Sequence, residues 1–164
     1  MIQGLNHIAL SVPDIQRAID FYCGLLGFRQ VGDFAWEADT ETSDTVTQIT
    51  RIPGTSGEAV HLRGPDFLLE IFQFKSADPA PEHQDAKRPV VDHGYTHFCL
   101  AVSDLDGEYQ RLKAAGMQFH SEPVLVMPGV RCVYGRDPFG NVIELEETDG
   151  RVITNQSSLE CIQE

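Results

Sequence analysis

The chain has 164 residues, 41% of them hydrophobic and 23% charged, the composition of a folded domain with its own core. Acidic residues outnumber Lys and Arg by 25 to 12, and a net charge of −13 repels phosphate backbones and anionic lipid, so nucleic-acid and membrane-surface partners are excluded. No apolar run approaches the roughly 18 residues of a membrane span. No secretory signal is visible, and Cys23, Cys99, Cys132 and Cys161 are too scattered for a disulfide scaffold or a cysteine zinc site, so a cytoplasmic protein is expected.

The first strand is read in Asn6-His7-Ile8-Ala9-Leu10-Ser11-Val12. Ile8, Leu10 and Val12 alternate to one side, and His7, Ala9 and Ser11 to the other. Asp14 is placed to cap a helix whose apolar stripe is Ile15, Ala18, Ile19, Tyr22 and Leu26, with Gly27 as its stop. Strands are predicted at 29–38, 58–64 and 67–74. Residues 39–56, rich in Thr and Ser and carrying Pro53-Gly54, read as an inserted loop and a candidate lid. Residues 76–93, with Pro79, Pro81 and Pro89, read as a linker.

The pattern then returns. Gly94-Tyr95-Thr96-His97-Phe98-Cys99-Leu100-Ala101-Val102 repeats Gly4 to Val12 at an offset of 90 residues, with His again in fourth place. Phe98, Leu100 and Val102 face one side, His97, Cys99 and Ala101 the other. Asp104 precedes a helix with the stripe Leu105, Tyr109 and Leu112 and the stop Gly116, and strands are predicted at 118–127, 130–136 and 141–147. The expected fold is α+β: two repeated βαβββ modules, about 4–75 and 94–147, forming curled sheets around a metal cavity. They would make one domain of residues 1–147, with 148–164 as a C-terminal tail.

The last strand of each module carries a glutamate inside an apolar run. Glu70 shares its face with Leu68 and Phe72, and Glu144 shares its face with Val142 and Glu146. An ionised carboxylate on a half-buried face requires a compensating partner. Two of them at equivalent places, with two equivalently placed histidines, point to one divalent ion held by His7, Glu70, His97 and Glu144. Mixed nitrogen and oxygen ligation suits Ni, Zn, Co, Mn or Fe, and six-coordinate geometry would leave two positions for substrate. No residues are assigned to an organic cofactor. Glu146 reads as an exposed strand end and His61 as a structural strand residue, with pocket lining its secondary reading. His83, His93 and His120 read as surface residues and Cys99 as a small buried filler. Phe34, Trp36, Phe72, Phe74 and Phe119 are core residues or the wall of an apolar pocket.

Three segments carry a family resemblance: Leu5 to Val12, Ala18-Ile19-Asp20-Phe21-Tyr22 with Leu25-Leu26-Gly27-Phe28, and Asp137-Pro138-Phe139-Gly140-Asn141-Val142-Ile143-Glu144-Leu145. Over residues 4–147 the chain resembles the vicinal oxygen chelate superfamily of glyoxalase I, methylmalonyl-CoA epimerase, fosfomycin-modifying enzymes, extradiol dioxygenases and bleomycin-binding proteins. The His/Glu/His/Glu set looks most like bacterial glyoxalase I, whereas epimerases usually have Gln where this chain has Glu70. The resemblance implies a metal-dependent lyase or isomerase that moves a proton through a metal-stabilised enediolate or enolate on a small oxygenated substrate. Glu144 would be the base, Glu70 its pseudo-symmetric alternative, and the assembly a homodimer. The alternatives are an iron(II) extradiol dioxygenase and a non-catalytic drug- or metabolite-binding protein of the same fold.

Overall fold

The computed structural model describes residues 5–76 and 88–149. The chain divides into two compact units, Met1–Asp85 and Ala86–Glu164. Most of the expected linker and of the expected tail lies outside the described residues, as do His83 and Cys161.

The first unit runs β1 (His7–Ser11), α1 (Ile15–Ile19) continued by a π-helical turn (Asp20–Leu25), β2 (Arg29–Trp36), α2 (Glu41–Thr50), β3 (Gly57–Arg63) and β4 (Leu68–Phe74). Its sheet has the order β1-β4-β3-β2, with β1 and β4 parallel and the other pairs antiparallel. The second unit runs β5 (Phe98–Ala101), α3 (Leu105–Ala114), β6 (Gln118–Phe119), β7 (Val124–Met127), β8 (Val130–Arg136) and β9 (Val142–Thr148). Its order is β5-β9-β8-β6, with β5 parallel to β9 and β7 also paired to β8. The architecture is the α+β repeat expected from the sequence. Among the described residues no helix is long and apolar enough to cross a membrane.

Register decides what each sheet face carries. Ile8, Leu69 and Leu62 align across the first sheet, as do Leu10, Ile71 and Val60, and Leu62, Leu69 and Ile71 are fully buried. Ala18 and Tyr22 of the first helix are fully buried as well. His7, Ala9, Glu70, Phe72 and His61 alternate to the opposite face. The second sheet repeats the division. Ile143, Leu145 and Val133 are buried with Leu105, Tyr109 and Leu112 of α3, and Cys99, Glu144 and Tyr134 align in one row of the other face.

Both helix starts behave as their sequences imply. Asp14 accepts from the Arg17 N–H and Asp104 from the Gly107 N–H, each at 3.0 Å. Gly27 and Gly116 follow the helices with φ of 77° and 97°. The first helix is not uniform, however. Leu26 N–H reaches Phe21 C=O, five residues back, and the extra residue of the π turn lets Phe21 and Tyr22 both be buried.

Two sequence readings need correction. The expected loop 39–56 contains α2. Six of its ten residues are the β-branched Thr42, Thr45, Val46, Thr47, Ile49 and Thr50, which hides the helix from propensity. It is set instead by its ends and one polar anchor. Thr40 caps the Ser43 N–H, Arg51 closes the helix with φ of 64°, and the buried Ser43 hydroxyl donates to Thr55 C=O at 2.9 Å. The expected strand 118–127 is broken into β6 and β7, with Pro123 in the gap.

Thr55 also accepts from Trp36 Nε1 at 2.9 Å, and Trp36 is 2% exposed. Gly57 makes room for that indole: a Cβ there would lie 2.5 Å from Gln73 C=O and 2.6 Å from the Trp36 ring. Gly57→Ala should cost about 1–3 kcal/mol, read as a lowered urea midpoint, because backbone and buried indole cannot both yield.

Candidate metal centre

In the first unit β1 sets Ala9 beside Glu70 and β3 sets His61 opposite Glu70 from the other side. Nε2 of His7 lies 3.3 Å from Oε2 of Glu70, and Nε2 of His61 lies 3.0 Å from Oε1. The glutamate side chain is only 13% exposed, so it is withdrawn beneath two more open imidazoles. Nδ1 of His7 is 2.9 Å from Asn6 Oδ1. An amide oxygen only accepts, so Nδ1 carries the proton of the neutral ring and Nε2 turns a lone pair toward a carboxylate oxygen. Two lone pairs facing each other at 3.3 Å require a proton or a cation between them. That is the donor chemistry of a divalent-metal site, with the Asn6 bond fixing the tautomer.

The second unit repeats the pair. Nε2 of His97 is 3.0 Å from Oε2 of Glu144, whose side chain is 12% exposed. Nδ1 of His97 is 2.8 Å from Thr96 Oγ1, so a hydroxyl takes the place of the Asn6 amide. Glu144 is aimed by the turn before β9. The buried Asp137 accepts from Phe139 N–H at 2.9 Å and from Asn141 N–H and Nδ2 at 2.8 Å each, while Gly140 supplies a φ of 91°. This is the physical content of the Asp137 to Asn141 motif: a carboxylate that satisfies a tight turn and starts the strand in a fixed register.

Around the two pairs the faces differ. Where the first unit has His61 opposite its glutamate, the second has Tyr134, whose ring centroid stands 4.7 Å from that of His97. Where the first has Ala9 and Phe72, the second has Cys99 and Glu146. The sulfur of Cys99 and carboxylate oxygens of Glu144 and Glu146 lie within 4.8 Å of one another. Cys99 stands beside Glu144 in register, and Cys132 beside Glu146. Desolvation first, then the adjoining carboxylates, push Cys99 well above the usual thiol range and Cys132 up to about 11. Both stay protonated near neutral pH. Desolvation and the charge of Glu144 likewise raise Tyr134.

The structure thus brings His7 to Glu70 and His97 to Glu144. It adds one contact and corrects two readings. His61 directly touches Glu70. Cys99 is exposed rather than a buried filler, because it alternates with the half-buried Phe98 and Leu100. Glu146 is half-buried beside Glu144 rather than an exposed strand end. Phe34, Trp36, Phe72 and Phe74 form one aromatic cluster, with Phe34 6.1 Å from His61, whereas Phe119 packs on Tyr109 at 4.9 Å. His93 and His120 are exposed, as expected.

Residues 4–145 match the Glyoxalase/Bleomycin resistance protein/Dioxygenase superfamily. The chain belongs to this superfamily. It is 31% identical over 157 residues to an ethylmalonyl-CoA/methylmalonyl-CoA epimerase of Cereibacter sphaeroides, covering 90% of this chain and 99% of the relative. It is 25% identical over 148 residues to a 2-epi-5-epi-valiolone epimerase of Actinomyces sp., covering 86% of this chain and 77% of the relative. Among solved structures, a glyoxalase family protein of Bacillus cereus aligns with a TM-score of 0.78 at 22% identity, covering 90% of this chain and 95% of that one. The fosfomycin resistance protein FosX of Listeria monocytogenes aligns with a TM-score of 0.61 at 17% identity, covering 90% and 94%. At these identities the structural matches show the fold. Two superfamily relatives named as epimerases support an enzyme of the isomerase type.

Proposed function

We propose that the protein is a metal-dependent isomerase that moves a proton on the carbon next to a carbonyl of a small oxygenated substrate. His7, Glu70, His97 and Glu144 would hold one divalent ion. The observation that carries this reading is the duplicated pair: a nearly buried glutamate facing an imidazole nitrogen at 3.3 Å in one unit and 3.0 Å in the other. A divalent ion held by such donors supplies positive charge that stabilises charge developing on a substrate oxygen and acidifies the neighbouring C–H.

The protein's own residues do the rest. His7 and His97 present Nε2, each with Nδ1 tied to the preceding residue, Asn6 or Thr96. Glu144 takes the proton from carbon and returns it. Delivery of a proton to the opposite face of the same carbon, from solvent or a second acid, is epimerisation, the version supported by relatives named as epimerases, one of them acting on CoA thioesters. Return to the adjacent carbon is the glyoxalase I version, which the two-glutamate ligand set supports. A binding module would have no need of two matched His/Glu pairs. A homodimer is the expected assembly, supported by β7, where Val124, Leu125, Val126 and Met127 are all exposed.

The test is wash-in of solvent deuterium. Metal-loaded protein is incubated in D2O with 2-oxo acids, thiohemiacetals and acyl-CoA thioesters, and the C–H signal next to the carbonyl is followed by NMR. Exchange should proceed without oxygen and survive replacement of iron by nickel, cobalt or zinc in at least one case. Turnover that requires both oxygen and iron(II) would establish the dioxygenase reading instead.

A further inference from the structure

The two units offer their glutamates different partners at the same sheet position. Glu70 receives an imidazole on each oxygen: His7 on Oε2 and His61 on Oε1. Glu144 has one imidazole, from His97, and the thiol of Cys99 beside it in register. A thiol is a far weaker donor than a ring N–H. The residue that answers to His61 by register is Tyr134, and it packs its ring on His97.

We infer that His61 is a positioning residue for Glu70. Its Nε2–H holds Oε1, so that Glu70 presents only Oε2 and acts as a fixed ligand, while Glu144 keeps the freedom that a proton carrier needs. This rests on the proposed metal site and adds to it an assignment of roles. His61 is itself held in place. It sits in the middle of β3, flanked by the buried Val60 and Leu62, with Gly32 opposite in register and the Phe34 ring 6.1 Å away. A ligating carboxylate fixed by an outer hydrogen bond holds metal more tightly, and loss of such a bond typically costs 10- to 100-fold in affinity.

The experiment measures affinity for nickel and zinc by competition with a chromophoric chelator, in wild type, His61→Ala, His61→Gln and His7→Ala. His61→Ala should bind roughly 10- to 100-fold more weakly. His61→Gln keeps an N–H donor and should recover most of that loss. Urea midpoints of all variants show whether the fold is intact, and His61→Gln carries the test if His61→Ala does not fold. Wild-type affinity in His61→Ala, with metal lost in His7→Ala, overturns the inference and leaves the metal site standing. Wild-type affinity in both overturns the metal site and the inference with it. A folded His61→Gln as weak as His61→Ala overturns the hydrogen-bond role.

Discussion

Glu144→Gln should lower turnover by roughly 10²-fold or more while most of the metal is kept. The substitution preserves the shape of the side chain and an oxygen that can ligate, and it removes the basic carboxylate. The environment of Glu144 favours this outcome. Its side chain is only 12% exposed, Asp137 fixes the turn that starts its strand, and its neighbours in register are Cys99 and Tyr134 rather than a second imidazole. Glu70→Gln should do the reverse, weakening metal retention more than it slows proton transfer on the fully loaded protein, because in the proposed arrangement His61 holds Oε1 and leaves Oε2 as a fixed ligand. Deuterium wash-in at saturating metal separates the two effects. Normal exchange in Glu144→Gln together with loss in Glu70→Gln would transfer the base to Glu70.

His97→Ala and His7→Ala should each weaken metal binding by roughly 100-fold or more, since each removes one of the four proposed ligands. Chelator competition reads the loss directly. Turnover at limiting metal should fall in parallel and return in part when metal is added in excess. Asp137→Ala gives a useful contrast. It leaves all four proposed ligands in place and deprives two backbone N–H groups of their acceptor, so it should cost roughly 2 kcal/mol or more in stability. Its metal affinity should change less than in the histidine variants wherever the variant is folded.

The repeat was legible because it is written twice in the same residue types. His7 and His97 lie 90 residues apart, each followed by alternating apolar residues, an acidic cap and a helix stripe. The alternation also placed Glu70 and Glu144 off the core face, where the register puts them. His61 was a harder case. Its contact with Glu70 depends on a hairpin in which Arg63 pairs with Leu68, and counting three residues outward from the Gly64 to Phe67 turn would have found it. The sequence shows the strand but not how tightly the turn closes. The Cys99, Glu144 and Glu146 group was missed for a similar reason. Cysteine is commonly buried, and only the parallel pairing of β5 with β9 sets Cys99 beside Glu144 on the open face. Helix α2 was illegible because its stability rests on a buried serine and a threonine cap rather than on a periodic apolar stripe. The π turn was hidden too, since a stripe drawn at 3.6 residues passes over Phe21.

Titration of the metal-free protein with nickel or zinc, read by native mass spectrometry, bears most directly on the proposed four-ligand site. If the proposed assignment is right, the result is one tightly held ion per chain, lost in His7→Ala and lost again in His97→Ala. Two ions per chain, each removed by only one of the variants, would mean that each unit binds on its own. No tightly held ion, or one that survives both variants, would contradict the assignment of His7, Glu70, His97 and Glu144.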